Sequence, residues 1–212
     1  LDQALRLAKK HVKDGLGEEA QRIYQDILAK FPKNKNAING MKTLSSFSIK
    51  KNSKGHNPSK DQLETVVNLY TQGNLQLALK ETSNLLEKFP NSVILYNIQG
   101  VVNAGLGQPA AAIISYQKAI SINPKNADTY YNMGVTLQEQ GKLGEAIESY
   151  NNVISINPDY VKAYHNKGNL LKEQGMLSAA IKSYKKVLAI EPNNSDIYCN
   201  IGTSLQEQGK LE

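Results

Sequence analysis

YYNMGVTLQEQG at 130–141 returns as YHNKGNLLKEQG at 164–175 and as YCNIGTSLQEQG at 198–209. One phrase recurring every 34 residues marks a repeat array. The register extends well beyond the phrase. Tyr96, Tyr130, Tyr164 and Tyr198 form one ladder, Gly100, Gly134, Gly168 and Gly202 a second, and Gly73, Gly107, Gly141, Gly175 and Gly209 a third. Ala78, Ala112, Ala146 and Ala180, then Tyr116, Tyr150 and Tyr184, then Pro90, Pro124, Pro158 and Pro192 complete the set.

Each ladder has a physical role. With Ala127 counted as position 1 of its repeat, positions 4, 7, 8 and 11 (Tyr130, Met133, Gly134 and Leu137) fall on one helical face, which predicts a buried stripe. Glycine inside such a stripe costs about 1 kcal/mol relative to alanine, so its recurrence predicts a neighbour packed too close for a side chain. Gly141 follows Gln140 where a left-handed C-cap ends a helix. A second helix is expected over about Leu143 to Ile156, with Ala146, Tyr150 and Val153 on one face and Pro158 ending the unit. A hairpin of this kind cannot cover its own apolar faces; stacking hairpins does. The expected class is all-α, an α-α superhelix of 34-residue helical hairpins.

The pattern resembles the tetratricopeptide repeat family, whose signature is Trp at 4, Leu at 7, Gly at 8, Tyr at 11, Ala at 20, an aromatic at 24 and Pro at 32. The resemblance covers units from 59, 93, 127 and 161 and a partial unit from 195. Tyr stands for Trp at 96, 130, 164 and 198, Leu137, Leu171 and Leu205 for Tyr, Gln99 and Lys167 occupy the Leu position, and the unit from 59 has Val66 and Thr82 in place of Gly and aromatic. Residues 1–46 read as one further unit, with Ala20, Tyr24, Ile27 and Pro32 in register, plus an extra helix over about 36–46. SFSIKKNSKGHNPSK breaks the phase, so 47–60 reads as a basic linker and 61–212 as the superhelix, with Ser59 and Gln62 spaced as a capping box.

If the stripe is buried, positions 2, 5, 6, 9, 12 and 13 face the other way. In the family this is the concave surface that takes extended peptides. Position 6 supplies Asn132, Asn166 and Asn200, position 5 Tyr131, His165 and Cys199, position 9 Val135, Asn169 and Thr203, and position 13 Glu139, Glu173 and Glu207. Asparagine is a mediocre helix former, but its carboxamide both donates and accepts, so a stacked row can hold a peptide backbone without reading its sequence. The row resembles the asparagine ladder of O-linked N-acetylglucosamine transferases, which grips substrate polypeptides. The unit from 93 departs from it, with Asn97 at position 5 and Ile98 at position 6. The family's two-carboxylate clamp for chaperone tails is present only in fragments, His165 with Asn169 and then Asn200. The three glutamates would repel an acidic tail, so the expected partner is a neutral or basic protein segment.

The remaining signals exclude more than they add. Of 212 residues 40% are hydrophobic, and no apolar run approaches the ~20 residues of a membrane span. A lone cysteine, Cys199, suits a reducing compartment, so a soluble, cytoplasmic protein is expected. The +6 net charge is uneven: residues 1–60 carry 13 Lys or Arg against 5 Asp or Glu, the remainder 12 against 14. Lys50, Lys51 and Lys54 lack interleaved aromatics, which argues against nucleic acid. His11, His56 and His165 share no ligand spacing with carboxylates, Cys199 has no activating neighbour, and there is no phosphate-binding loop, so no metal, cofactor or catalytic constellation is indicated. Asn193–Ser195 is a sequon that would stay idle in the cytosol.

The expected function is a non-catalytic peptide-binding scaffold. Two alternatives stand beside it: the substrate-docking region of a larger enzyme, such as a glycosyltransferase, whose chemistry lies beyond residue 212, and a self-associating scaffold. The second alternative follows from Ile201 and Leu205, which face an end with no second helix; a continuing polypeptide or another copy would cover it.

Overall fold

The computed structural model describes residues 1–13, 17–32, 34–41 and 57–209, and every secondary-structure element among them is helical. They belong to two units, Leu1–His56 and Asn57–Glu212. In the first, α1 (Asp2–Lys13) and α2 (Gly17–Lys30) form a hairpin whose core holds Leu5, Ala8, Ala20, Tyr24 and Ile27 together with Ala37. Residues 35–41 are helical and set Gly40 against the Tyr24 ring. The extra helix expected over 36–46 is therefore described as far as 41. Of the expected linker, 47–56 lie outside the described residues, and Lys60 already belongs to the next helix.

The second unit runs α3 (Lys60–Thr71), α4 (Leu75–Lys88), α5 (Val93–Gly105), α6 (Pro109–Ile122), α7 (Ala127–Glu139), α8 (Leu143–Ile156), α9 (Val161–Glu173), α10 (Leu177–Ile190) and α11 (Ser195–Glu207). Odd-numbered helices from α3 are the first helices of the hairpins. Ser59 opens α3 with the expected capping box: its Oγ accepts from Gln62 N at 3.3 Å, and Gln62 Oε1 accepts from Ser59 N at 2.9 Å. Ser92, Asn126 and Asn194 cap α5, α7 and α11 with a side-chain oxygen that accepts from Leu95 N, Thr129 N and Ile197 N. At the other end, Gly141 N donates to Gln138 O (2.9 Å) and Lys142 N to Leu137 O (3.0 Å), the paired bonds of a Schellman cap. Gly141 takes φ 72°, and a Cβ there would meet nothing within 4 Å, so this glycine is present for its backbone angle alone.

Gly134 is the reverse case. A Cβ there would lie 2.8 Å from the Tyr150 ring, and at Gly168 it would lie 2.5 Å from the Tyr184 ring. The close approach expected from the stripe is thus made by the position-24 tyrosine of the second helix. Tyr116, Tyr150 and Tyr184 are essentially fully buried, as are Ala112, Ala146 and Ala180. The stripe itself differs from expectation. Gly134 and Leu137 are buried, but Tyr130 and Met133 are half-buried and Tyr198 is 56% exposed.

The missing burial lies at positions 3 and 10. Leu95, Thr129, Ala163 and Ile197, and Val102, Thr136, Leu170 and Ser204, are all sealed from solvent. Seven residues apart, they share a face two turns long. Ala163 and Leu170 join Tyr150 and Val153 of the preceding hairpin, Leu95 and Val102 join Ala78 and Leu85, and Ile197 joins Ala180, Tyr184 and Val187. The first helices α5, α7 and α9 are thus each wedged between their own second helix and the previous one, leaving one face toward solvent. The unit is an all-α superhelix of stacked hairpins.

Candidate functional site

Wedging α5, α7 and α9 on two sides leaves their third side as an inner wall, and α5 lies against α7 along it. The position-6 asparagines sit there half-buried, and two of them are already engaged. Asn132 Nδ2 donates to Asn97 Oδ1 of the preceding repeat at 3.1 Å. Asn166 Nδ2 donates to the hydroxyls of Tyr131 (3.3 Å) and Tyr150 (3.2 Å), and Tyr150 in turn donates to Gln138 Oε1 at 3.0 Å. Both asparagines therefore tie one repeat to the one before through their amide nitrogens. No hydrogen bond reaches Oδ1 of either within the described residues, and the Asn200 side chain makes none at all there.

Other members of the expected site take different places. Tyr131, expected as a solvated groove residue, is half-buried, its ring tilted against Tyr150 and Tyr160 at centroid distances of 5.9 and 5.2 Å. It supports the row by accepting from Asn166. His165 Nε2 lies 3.4 Å from Asn169 Nδ2, and Asn169 Oδ1 accepts from the Tyr184 hydroxyl at 2.9 Å. His165 also lines a separate cleft of about 570 Å³ with Asp159, Lys162, Glu191 and Asp196. Glu139 and Glu173 are exposed, and Glu207 pairs with Lys172 at 3.4 Å.

Among the described residues, cavities open on the wall at equivalent positions two repeats apart. One, of about 420 Å³, gathers Asn169, Glu173, Asn200 and Glu207 with Lys172 over Tyr184. The other, of about 220 Å³, gathers Asn132, Val135 and Glu139 with Tyr70, Val101, Ala104, Gly105 and Thr136 over Tyr116. At the corresponding place between them, Gln138 and Asn166 both bond the Tyr150 hydroxyl. Asn97, Gln138 and the buried tyrosines were missed as members of the site. The signal for Asn97 was visible: it stands one residue before the position-6 row, where it meets the asparagine of the following repeat.

Burial favours the neutral form of the tyrosines beneath the wall. Burial pushes Tyr116 and Tyr150 up to about 12 and raises Tyr184. Burial also raises Tyr160, followed by its hydrogen bond to the Asp128 carboxylate (3.0 Å) and the charge of that group. The wall's charge is therefore set by its acids and lysines. On α7, α9 and α11, wall positions carry Asp128, Glu139, Glu173, Asp196 and Glu207 against Lys162 and Lys172. Lys167 is turned elsewhere: half-buried, it donates to Asn151 Oδ1 at 2.6 Å, and burial followed by Lys182 holds its ammonium below the ordinary lysine value. Among the described residues no three His, Cys, Asp or Glu side chains gather to hold a metal, and no helix is long and apolar enough to cross a membrane.

The sequence pattern of the TPR repeat family matches residues 104–141, 137–175 and 168–209, half of the chain. No curated protein matches the chain in sequence. Among solved structures, MamA is 25% identical at a TM-score of 0.64, over 70% of this chain and 81% of MamA. YrrB, described as a TPR protein with an unusual peptide-binding site, is 20% identical at a TM-score of 0.61, over 79% of this chain and 84% of its own. The first TPR of Spaghetti (RPAP3), bound to the HSP90 peptide SRMEEVD, is 25% identical at a TM-score of 0.52, over 55% of this chain and 93% of its own.

Proposed function

We infer that this chain, which belongs to the TPR repeat family, is a protein-binding module that holds an extended, neutral or basic segment of a partner along the wall made by its first helices. The observation that carries this reading is the half-used asparagine row. The amide nitrogens of Asn132 and Asn166 are committed to neighbouring repeats, which fixes the orientation of the carboxamides, while their Oδ1 atoms keep acceptor capacity. A fixed acceptor repeated down a wall suits the N–H groups of an extended backbone, because the cost of orienting the side chain is met before the ligand arrives.

Charge sets the partner class. The Spaghetti (RPAP3) domain is bound to SRMEEVD, a peptide with three acids and one arginine. The wall of this chain is itself rich in carboxylates, and only Lys172 among its lysines is tied to one of them. Like charges across an interface repel, so a segment of that kind is disfavoured here. The test is an anisotropy titration with two labelled peptides that differ only in lysine against glutamate. The lysine peptide is expected to bind roughly tenfold tighter at low salt, with the gap closing as salt screens the exposed acids. Tighter binding of the glutamate peptide would overturn the charge assignment.

A further inference from the structure

Resting on that reading, we propose that the half of the groove built by α3, α5 and α7 takes an apolar side chain of the bound segment, next to a basic residue held by Glu139. Position 9 of the first helices reads Val67, Val101, Val135 and then Asn169, Thr203. The wall therefore changes from apolar to polar between α7 and α9. In the apolar half Val67 is 45% exposed and Tyr70 36%, an accessible pair of large side chains on the inner positions. Three residues apart on α3, they lie on one helical face, and Tyr70 lines the same cavity as Val101 and Val135.

A cavity accompanies them, and its apolar lining is visible in the chain. Positions 12 and 13 are Gln138–Glu139, Lys172–Glu173 and Gln206–Glu207 in the later repeats, but Ala104–Gly105 here. In the repeat from 127, Gln138 reaches across to accept from the Tyr150 hydroxyl at 3.0 Å. Ala104 cannot bond Tyr116 as Gln138 bonds Tyr150, just as Lys172 turns to Thr203 and Glu207 beside the polar cavity over Tyr184, and about 220 Å³ lies open between Tyr70, Val101, Val135 and Tyr116. Gly105 keeps the entrance low, since a Cβ there would already touch Leu75 Cδ1 at 3.3 Å and the Tyr70 ring at 3.6 Å. The room suits one aliphatic side chain.

The rim supplies the second determinant. Glu139 is exposed, lines the same cavity and has no ion pair among the described residues, whereas Glu207 is already matched by Lys172. The wall positions of α5 and α7 carry no lysine or arginine, so a cation of the ligand meets no repulsion there. An aliphatic residue beside a lysine or arginine complements both features, and an acidic neighbour complements neither.

The experiment uses the intact chain and labelled Gly-Ser peptides carrying two lysines and, beside one of them, either leucine or serine. On the unaltered chain the leucine peptide is expected to bind about tenfold tighter than the serine peptide, the effect of burying one aliphatic side chain. Ala104→Gln places in this repeat the residue that bonds the buried tyrosine of the next one, and it should collapse the leucine-to-serine ratio to about one. Equal affinities for the two peptides on the unaltered chain, with the lysine-over-glutamate preference intact, would overturn the pocket while leaving the groove reading standing. A ratio that survives Ala104→Gln, with the variant's helical circular dichroism unchanged, would also overturn it. Absence of binding by every lysine peptide would instead remove the groove reading and this proposal together.

Discussion

Replacing Tyr150 with alanine is expected to remove about 3–5 kcal/mol of folding free energy, the range for deleting a buried aromatic. The side chain is fully buried among Leu137, Ala146, Val153, Ala163 and Leu170, so it belongs to its own hairpin and to the next first helix at once. Gly134 exists to admit its ring, and no larger side chain is available there to collapse into the cavity. Its hydroxyl adds bonds to Gln138 and Asn166. In an array stabilised by nearest-neighbour interfaces, a residue shared by two interfaces weakens both. Urea unfolding followed by circular dichroism measures the loss, and at about 2–4 °C per kcal/mol the thermal midpoint should fall by roughly 6–20 °C. Tyr150→Phe separates the ring from the hydroxyl and should cost about 1 kcal/mol. Tyr198, which has the same residue type but is exposed, should lose less than about 0.5 kcal/mol on becoming alanine. Similar losses at 150 and 198 would contradict the packing.

Joint replacement of Asn132, Asn166 and Asn200 with alanine is expected to weaken binding of the lysine peptide on the order of 100-fold. The figure follows from one peptide hydrogen bond per rung at about 1 kcal/mol net. The three positions do not carry equal risk. Asn132 and Asn166 also bridge repeats, so their removal leaves Asn97 Oδ1 and the Tyr131 hydroxyl without a donor and costs some stability. Asn200 makes no side-chain bond within the described residues, so Asn200→Ala alone reports the ligand without that cost. Full affinity in Asn200→Ala together with full affinity in the triple variant would mean that the row only staples repeats.

The two glycine roles show how far the chain announces its own fold. Gly141 and Gly134 could be told apart before any coordinates, one after a helix and one inside it, and each does what its place demands: a positive φ without crowding, and crowding without a positive φ. Tyr150 and Ala146 followed from the same register. Positions 3 and 10 did not, because they mix Thr129, Thr136 and Ser204 with Leu95 and Leu170, and buried hydroxyls blur an apolar period. Thr136 and Ser204 tolerate that burial by donating to Asn132 O and Asn200 O one turn back, an arrangement invisible to hydropathy. The row at 132, 166 and 200 was legible as a pattern, but the direction of its carboxamides was not. That depends on Asn97, Tyr131 and Tyr150, which belong to other repeats or the opposing helix. The cavity over Tyr116 owes its apolar lining to Val101, Ala104 and Gly105, the last two of which depart from the residues at the same positions of the later repeats.

Nuclear magnetic resonance mapping of the isotopically labelled chain with the lysine peptide locates the bound segment residue by residue. Binding along the wall should shift Asn132, Val135, Asn166, Asn169 and Asn200, including the asparagine side-chain amides, while Ile114 and Lys118 of α6 and Lys182 and Lys186 of α10, exposed residues of second helices that form no part of the wall, stay still. Shifts gathered on those second-helix residues, with the asparagine amides unmoved, would contradict it.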